Sequence, residues 1–221
     1  MTPEALIASL AERVPPTEAD GANVIVGIDG VDGAGKTRLA QALTEHLRKT
    51  REVVHVSIDG FHALRAHRYR RGRDSPEGFW LDSYDYEAFH REVVTPFRAG
   101  AGTYLPAAHD VETDAVLTRP RRDVPRGTIL VVDGIFLHRP ELRDIWDLSV
   151  FLDVPFRESA RRMGPRDGLP LDPDAPENAR YVGGQRLYLD ECRPAERATV
   201  LVDYADFDRP AIVRIGDGEQ P

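Results

Sequence analysis

A parallel β-sheet wrapped on both faces by helices is the fold class this sequence predicts, and two patterns predict it. Five short apolar runs rich in β-branched residues, at 24–29, 53–58, 128–133, 148–153 and 199–203, read as strands buried on both faces. Helical or turn-rich stretches separate them, the alternation of an α/β protein. A length of 221 residues suits one domain with a full core, so 1–221 is expected to fold as a single unit.

Each element has its own signal. Thr2-Pro3-Glu4 is an N-cap, a first-turn proline and an acidic first turn. Leu6, Ile7, Leu10 and Val14 follow at helical spacing until Pro15-Pro16 stops them. After strand 24–29 comes a glycine-rich turn and a helix over 38–49, then strand 53–58, which runs into Asp59. Residues 62–83 mix Arg, Gly, Ser and Asp with aromatics and little periodicity, the composition of a functional loop. A helix is expected over 85–98 and a pair of short strands or a flap over 104–118. A short helix over 156–163 leads into 164–184, which Pro and Gly break into a stretch read as mobile. Residues 185–196 read as helical and 211–215 as an edge strand.

The turn after the first strand carries the chemistry. Gly30-Val-Asp32-Gly33-Ala34-Gly35-Lys36-Thr37 matches G-x-x-x-x-G-K-[ST] at every fixed position, with a strand before it and a helix after it. Glycines let the backbone curl until successive N–H groups point at phosphate oxygens, and the following helix adds its positive end. Lys36 bridges the β- and γ-phosphates in such a loop, and the Thr37 hydroxyl ligates Mg²⁺. The fold expected is therefore the three-layer sandwich of P-loop NTPases, with a central parallel sheet of about five strands.

A P-loop needs a second acid at a neighbouring strand end to hold the metal. Asp133, which closes Ile129-Leu-Val-Val-Asp133, supplies it. Asp59 ends the second strand in Asp59-Gly60-Phe61-His62. Strand C-termini of a parallel sheet converge on the ligand crevice, so Lys36, Asp59 and Asp133 are expected to face one space. A carboxylate there accepts the proton of an attacking hydroxyl. Arg161, Arg162 and Arg166 lie around a helix end before the Pro/Gly-rich stretch, where arginines close over transferring phosphate. The arginines of 65–73 read as a solvated loop, with contact to a phosphate or carboxylate of the substrate as the other reading.

The bulk composition excludes other classes. The net charge of −8 argues against a general nucleic-acid binder. The cations are almost all Arg, with Lys at 36 and 49, which suits bidentate phosphate grip. The single cysteine, Cys192, leaves neither an internal disulfide nor a cysteine-based zinc cluster. Neither a signal peptide nor a membrane span is evident, so a cytoplasmic protein is expected.

Taken in order, the P-loop, Asp59-Gly-Phe-His62, Asp133-Gly134-Ile135 and Arg161-Arg162…Arg166-Asp167 resemble the uridine kinase branch of the P-loop kinases, whose relatives include pantothenate kinase and phosphoribulokinase. The resemblance runs from about Val24 to about Asp203. It implies transfer of the γ-phosphate of ATP or GTP to a primary hydroxyl with Mg²⁺, a substrate flap over about 62–120 and a lid over about 161–186. It implies Asp59 as catalytic base. Lys36, Thr37 and Asp133 would sit at phosphate and metal, with Asp59 also near the metal. Gly30, Asp32, Gly33, Ala34, Gly35, Arg38 and Arg166 would lie around the nucleotide, and Arg161 and Arg162 at the lid. Asp82 matches the acid that holds the ribose hydroxyls. Tyr104 and His109 match the aromatic and imidazole that face a pyrimidine base, with Phe61 and Gln185 as further substrate contacts. Asp133 stands where the family usually has Glu, and Asp59-Gly60-Phe61-His62 leans toward the pantothenate kinase style.

The function expected is a kinase of a small metabolite, a nucleoside such as uridine or cytidine first, and pantothenate, a sugar or a sugar phosphate as the alternative. Its partners are then the nucleoside triphosphate and the acceptor, with neither nucleic acid nor membrane, and a homo-oligomer is compatible with the sequence. A P-loop ATPase or a nucleotide-binding regulatory protein is the rival from another class. Guanine-reading switches carry Asn-Lys-x-Asp, and no such segment is present.

Overall fold

The computed structural model describes residues 1–17 and 22–216; the side chains of Arg166 and Asp167 also lie outside the described residues. In chain order the elements are α1 (Pro3–Arg13), β1 (Val24–Gly30), α2 (Lys36–Leu47), β2 (Val53–Ser57), a 3₁₀ turn (Ile58–Phe61), α3 (Arg65–Arg68) and α4 (Pro76–Asp82). A helical stretch follows as α5 (Tyr86–Phe89), a π turn (His90–Val94) and α6 (Thr95–Ala99). Four two-residue strands come next, β3 (Thr103–Tyr104), β4 (His109–Asp110), β5 (Ala115–Val116) and β6 (Arg122–Asp123). The chain ends with β7 (Ile129–Gly134), β8 (Leu148–Asp153), α7 (Phe156–Asp167), α8 (Ala179–Cys192), α9 (Pro194–Arg197), β9 (Val200–Asp203) and β10 (Ala211–Ile215).

The six-stranded sheet has the order β10-β9-β8-β1-β7-β2. All its pairings are parallel except β10 on β9. The expected strands are all present, and the edge strand joins as the antiparallel sixth. With β7 on one side of β1 and β8 on the other, the connections diverge around β1, which places the crevice at its carboxyl end.

Alternate residues of the central strands feed two cores. Val24, Val26 and Ile28 of β1 pack with Ile129, Val131, Val150 and Leu152 beneath Leu6, Leu10, Leu39 and Leu43 of α1 and α2. Ile25, Leu130 and Val132 point the other way, toward Trp80, Phe89, Phe136 and Tyr188. This is the layered burial that the near-continuous apolar strands require. Among the described residues no helix is long and apolar enough to cross a membrane.

Two readings of the sequence change here. The 62–83 segment holds α4, whose start is capped by Ser75 accepting from the Gly78 N–H with Pro76 in the first turn. That signal was present, but arginine-rich loop composition masked it. The last long helix begins at Ala179 and runs through Gly183 and Gly184. A Cβ at Gly184 would sit 2.7 Å from the Pro76 carbonyl oxygen and 2.9 Å from the Phe79 ring, so these glycines let α8 lie directly on α4.

Candidate active site

The P-loop turns out of β1 and into α2. Gly33 and Gly35 hold φ of +68° and +92°, the left-handed region that suits glycine. Gly35 is the N-cap of α2 and supplies no side-chain cap, so the first helical amides remain directed at the crevice. Lys36 Nζ donates to the Val31 carbonyl at 2.9 Å, folded over the loop it would leave to reach phosphate.

The loop is braced from beneath. The Asp29 carboxylate is fully buried and accepts from the Gly30 N–H at 2.7 Å. Its other oxygen meets His138 Nδ1 at 2.7 Å and accepts from the Tyr188 hydroxyl. Burial and the Asp29 charge push the Tyr188 phenol well above its ordinary value, so this hydroxyl stays a donor. Gln185 of α8 is 2% exposed, accepts from the Asp32 N–H at 2.6 Å and donates to the Asp32 carboxylate at 3.2 Å. The structure therefore uses Gln185 to hold the phosphate loop, away from the substrate contact expected of it. Sequence spacing gave no sign of Asp29, His138 or Tyr188, because their partners come from distant strands and helices.

Register sets the position of Asp133. Asp133 of β7 lies level with Ile28 of β1 and Ser57 of β2. Its Oδ2 accepts from the Thr37 hydroxyl at 2.6 Å and its Oδ1 meets His55 Nε2 at 2.7 Å. A hydroxyl and a carboxylate side by side are hard oxygen donors that fit Mg²⁺. Among the described residues no group of three His, Cys, Asp or Glu forms a self-sufficient metal cage.

Asp59 sits in the 3₁₀ turn just after β2 and is exposed. Its Oδ1 accepts from the Tyr84 hydroxyl at 2.8 Å, and its carbonyl meets His62 Nδ1 at 2.8 Å. The His62 ring lies 4.5 Å from that of Tyr84. Burial lowers the His62 pKa, with Asp59 opposing that shift and Arg68 and His109 reinforcing it. The segment before β4 packs on this turn, where the Ala108 N–H donates to the Gly60 carbonyl at 2.8 Å and Ala107 packs against Gly60.

The expected acceptor residues divide. His109 lies beside the Asp59 turn, buried, with Nε2 3.1 Å from Asp114 and Nδ1 without a hydrogen-bond partner. Tyr104 is 3% exposed and packs edge-on against Phe97. Phe61 is 1% exposed and packs edge-on against Phe89. Both rings belong to the core on this face of the sheet, where their apolar area is buried. Asp82 is fully buried, and Arg70 and Arg71 hold its two oxygens at 2.6 and 3.0 Å.

The arginines expected at a lid also divide. Arg161 is exposed and forks onto Glu158 at 2.7 and 2.8 Å. Hydrogen bonding from Arg161 and then Arg162 brings the Glu158 carboxyl down to about 2. Arg162 points inward. Its guanidinium lies 3.7 Å from the Phe207 ring centroid and donates to the carbonyls of Gly33, Ala34, Tyr204 and Ala205. Arg38 approaches the same ring at 5.0 Å. Arg166 lies outside the described side chains. A cavity of about 870 Å³ opens beside Arg157, Arg161, Asp172 and Asp174.

No family model matches the chain. Uridine kinase-like protein 3 of Arabidopsis thaliana is 24% identical over 216 residues, covering 94% of this chain and 40% of that protein. The chain thus spans two fifths of that relative's length. Nicotinamide riboside kinase 1 of Mus musculus is 28% identical over 189 residues, covering 84% of this chain and 86% of its own. Among solved structures, a possible uridine kinase from Bacillus stearothermophilus superposes with a TM-score of 0.66 at 24% identity, over 90% of this chain and 97% of that one. A likeness at that identity shows the fold, the P-loop kinase three-layer sandwich. On sequence, fold and phosphate loop alike, the chain's similarity is to the uridine kinase-like branch of the P-loop kinases.

Proposed function

We propose that this protein is a kinase that moves the γ-phosphoryl group of ATP to a hydroxyl of a small metabolite. The observation that carries the reading is the exposed Asp59 carboxylate at the end of β2, beside the strand that brings Asp133 to Thr37. A switch or motor ATPase orients water for attack, whereas a carboxylate held by Tyr84 beside the phosphate loop suits an attacking hydroxyl. Relatives named for uridine and nicotinamide riboside support acceptors of nucleoside size.

In this reading the loop amides and Lys36 would cradle the phosphates, while Thr37 and Asp133 would hold the magnesium ion, which would supply positive charge against the charge that develops on the transferring phosphoryl group. The acceptor oxygen attacks the γ-phosphorus in line, its proton passes to Asp59, the bond to the β–γ bridging oxygen breaks, and ADP leaves. Tyr84, donating to Asp59 Oδ1, fixes that carboxylate with its second oxygen toward the acceptor. Burial and the Asp59 charge raise the Tyr84 phenol well above its ordinary value, so it donates without titrating.

One observation favours the non-nucleoside acceptor. The Asp82 oxygens that a ribose diol would need are both taken by arginines. The reading is tested by ADP release with ATP and Mg²⁺ across uridine, cytidine, pantothenate, sugars and sugar phosphates. Release above water hydrolysis with at least one acceptor is expected. Release equal to hydrolysis with all of them returns the protein to the ATPase reading.

A further inference from the structure

We infer that the acceptor carries an anionic group, phosphate or carboxylate, gripped by the arginine loop of residues 65–73 next to Asp59. The inference rests on the kinase reading and narrows its acceptor.

The first observation is a local excess of cation in an acidic protein. The net charge is −8, yet Arg65, Arg68, Arg70, Arg71 and Arg73 stand within nine residues. Among the described residues, the carboxylates in ion pairs with this loop are Asp82 and Asp114. Asp82 takes Arg70 and Arg71 together, with His67 Nε2 at 3.8 Å, so one buried negative charge holds two guanidiniums. The side chains of Arg70 and Arg71 remain 51% and 41% exposed. Each therefore keeps donors for a further oxyanion.

The second observation is that the loop is built and braced. Arg180 of α8 is 7% exposed and donates to the carbonyls of Arg68, Gly72 and Ser75. Its guanidinium lies 4.8 Å from the Tyr69 ring, with Arg73 at 5.2 Å and Arg68 at 5.5 Å. Packing three guanidiniums around one ring and burying the carboxylate that two more arginines share costs desolvation and mutual repulsion. A solvated arginine face carries no such bracing, so a loop held this way is pre-organised for a bound negative charge.

The third observation joins the loop to the chemistry. Arg68 reaches Asp114 at 3.6 Å, the same carboxylate that His109 meets at 3.1 Å. His109 is buried with Nδ1 unpartnered, and both it and Arg68 act on His62, which rests on the Asp59 carbonyl. Arg68, Asp114 and His109 thus tie the cationic loop to the segment that packs on the Asp59 turn. An acceptor with a hydroxyl at Asp59 and an anion at the arginines would bridge the two.

The test is a matched acceptor panel. Uridine, cytidine and fructose form the uncharged arm, ribose 5-phosphate the phosphate arm, and D-glycerate and pantothenate the carboxylate arm. At least one anionic arm is expected to exceed every uncharged compound by tenfold or more in kcat/KM, and the arm that does so identifies the anion. Arg70→Gln is then expected to raise the KM for that acceptor about tenfold with the KM for ATP unchanged. Because Arg70→Gln alone leaves Asp82 buried with one partner fewer, Arg70→Gln combined with Asp82→Asn serves as the folded control and is expected to show the same rise. Preference for an uncharged acceptor, or an unchanged acceptor KM in the double variant, overturns the inference and leaves the kinase reading standing. Phosphorylation of none of the panel overturns both.

Discussion

The Thr37 hydroxyl donates to Oδ2 of Asp133 across 2.6 Å, joining the phosphate loop to the end of the neighbouring strand β7. His55 holds the second oxygen of the same carboxylate at 2.7 Å. The pair sets two hard oxygen donors side by side, and the imidazole sets the carboxylate's rotation. Asp133→Ala should raise the Mg²⁺ concentration that half-saturates ADP release by about tenfold or more and lower turnover with it. His55→Ala, which removes only the orienting partner, should weaken metal affinity by roughly 10- to 100-fold without touching the P-loop. A Mg²⁺ titration of each variant is the measurement, and curves identical to the parent would remove Asp133 from the metal.

Asp59 is exposed and accepts from Tyr84, the surroundings of a base that must meet a substrate and keep its geometry. Asp59→Asn keeps shape and the hydrogen bond to Tyr84 but cannot take a proton. Its turnover should fall by about 10²- to 10⁴-fold while ATP affinity stays unchanged. Tyr84→Phe should cost roughly one hydrogen bond to a charged group, about 1.5–3 kcal/mol, read in kcat more than in the KM for ATP. Single-turnover phosphoryl transfer and equilibrium ATP binding, measured side by side, separate these outcomes. Full turnover in Asp59→Asn would give the base to another group.

The sheet was legible because its signal is local. Runs such as Ile129-Leu-Val-Val need no partner to be recognised as buried strands, and the P-loop is contiguous. The placement of Asp59 and Asp133 at neighbouring strand ends was legible by topology, since each ends such a run. What escaped was set by side-chain direction across the fold. Tyr104 and Phe61 carry aromatic signals equally suited to a pocket and a core, and packing against Phe97 and Phe89 decided for the core. Gln185 and Arg162 are separated in sequence from the loop they brace, so no spacing rule links them to Asp32 or Gly33. Gly183 and Gly184 read as helix breakers, whereas the close approach of α4 makes them the residues that allow the helix contact.

Cys192 near the end of α8 offers a probe of folding. The thiol is 5% exposed, and burial pushes its pKa from 9 up to about 11. A thiol raised in the folded state contributes stability that is fully present below the unfolded value and is lost as pH rises through the folded one. Stability should therefore decline across roughly pH 9 to 11 and regain part of that range in Cys192→Ala. Alkylation at pH 8 should be slow in the folded protein and rapid in denaturant, since the thiolate is the nucleophile. Mass spectrometry of the native protein after brief reagent exposure checks this, and rapid modification would contradict the buried position.

Arg161 and Arg162 are adjacent in sequence and opposite in expected effect. The Arg161 side chain is 68% exposed and forks onto Glu158, a surface pair whose net contribution is small. Arg162 is 11% exposed at its side chain, stacks on Phe207 and donates to carbonyls of both the P-loop and the segment after β9. Removing it exposes or orphans those carbonyls and frees the loop from the wall beside it. Arg162→Ala should cost about 2–3 kcal/mol, from lost stacking and lost charge-assisted hydrogen bonds. For a chain of this size that is a drop in Tm of roughly 4–12 °C. The KM for ATP should rise as well, since the amides that face phosphate would no longer be pre-set. Lysine at 162 should rescue little, because an ammonium has neither the planar face for Phe207 nor the fork for four carbonyls. Arg161→Ala should leave Tm within about 1 °C of the parent, and any loss it shows should lie in kcat, the signature of an arginine that meets phosphate only when the lid closes. Thermal unfolding and ATP saturation curves for the two single variants decide the matter. Equal Tm losses at the two positions would mean that Arg162 is no more a brace than its neighbour.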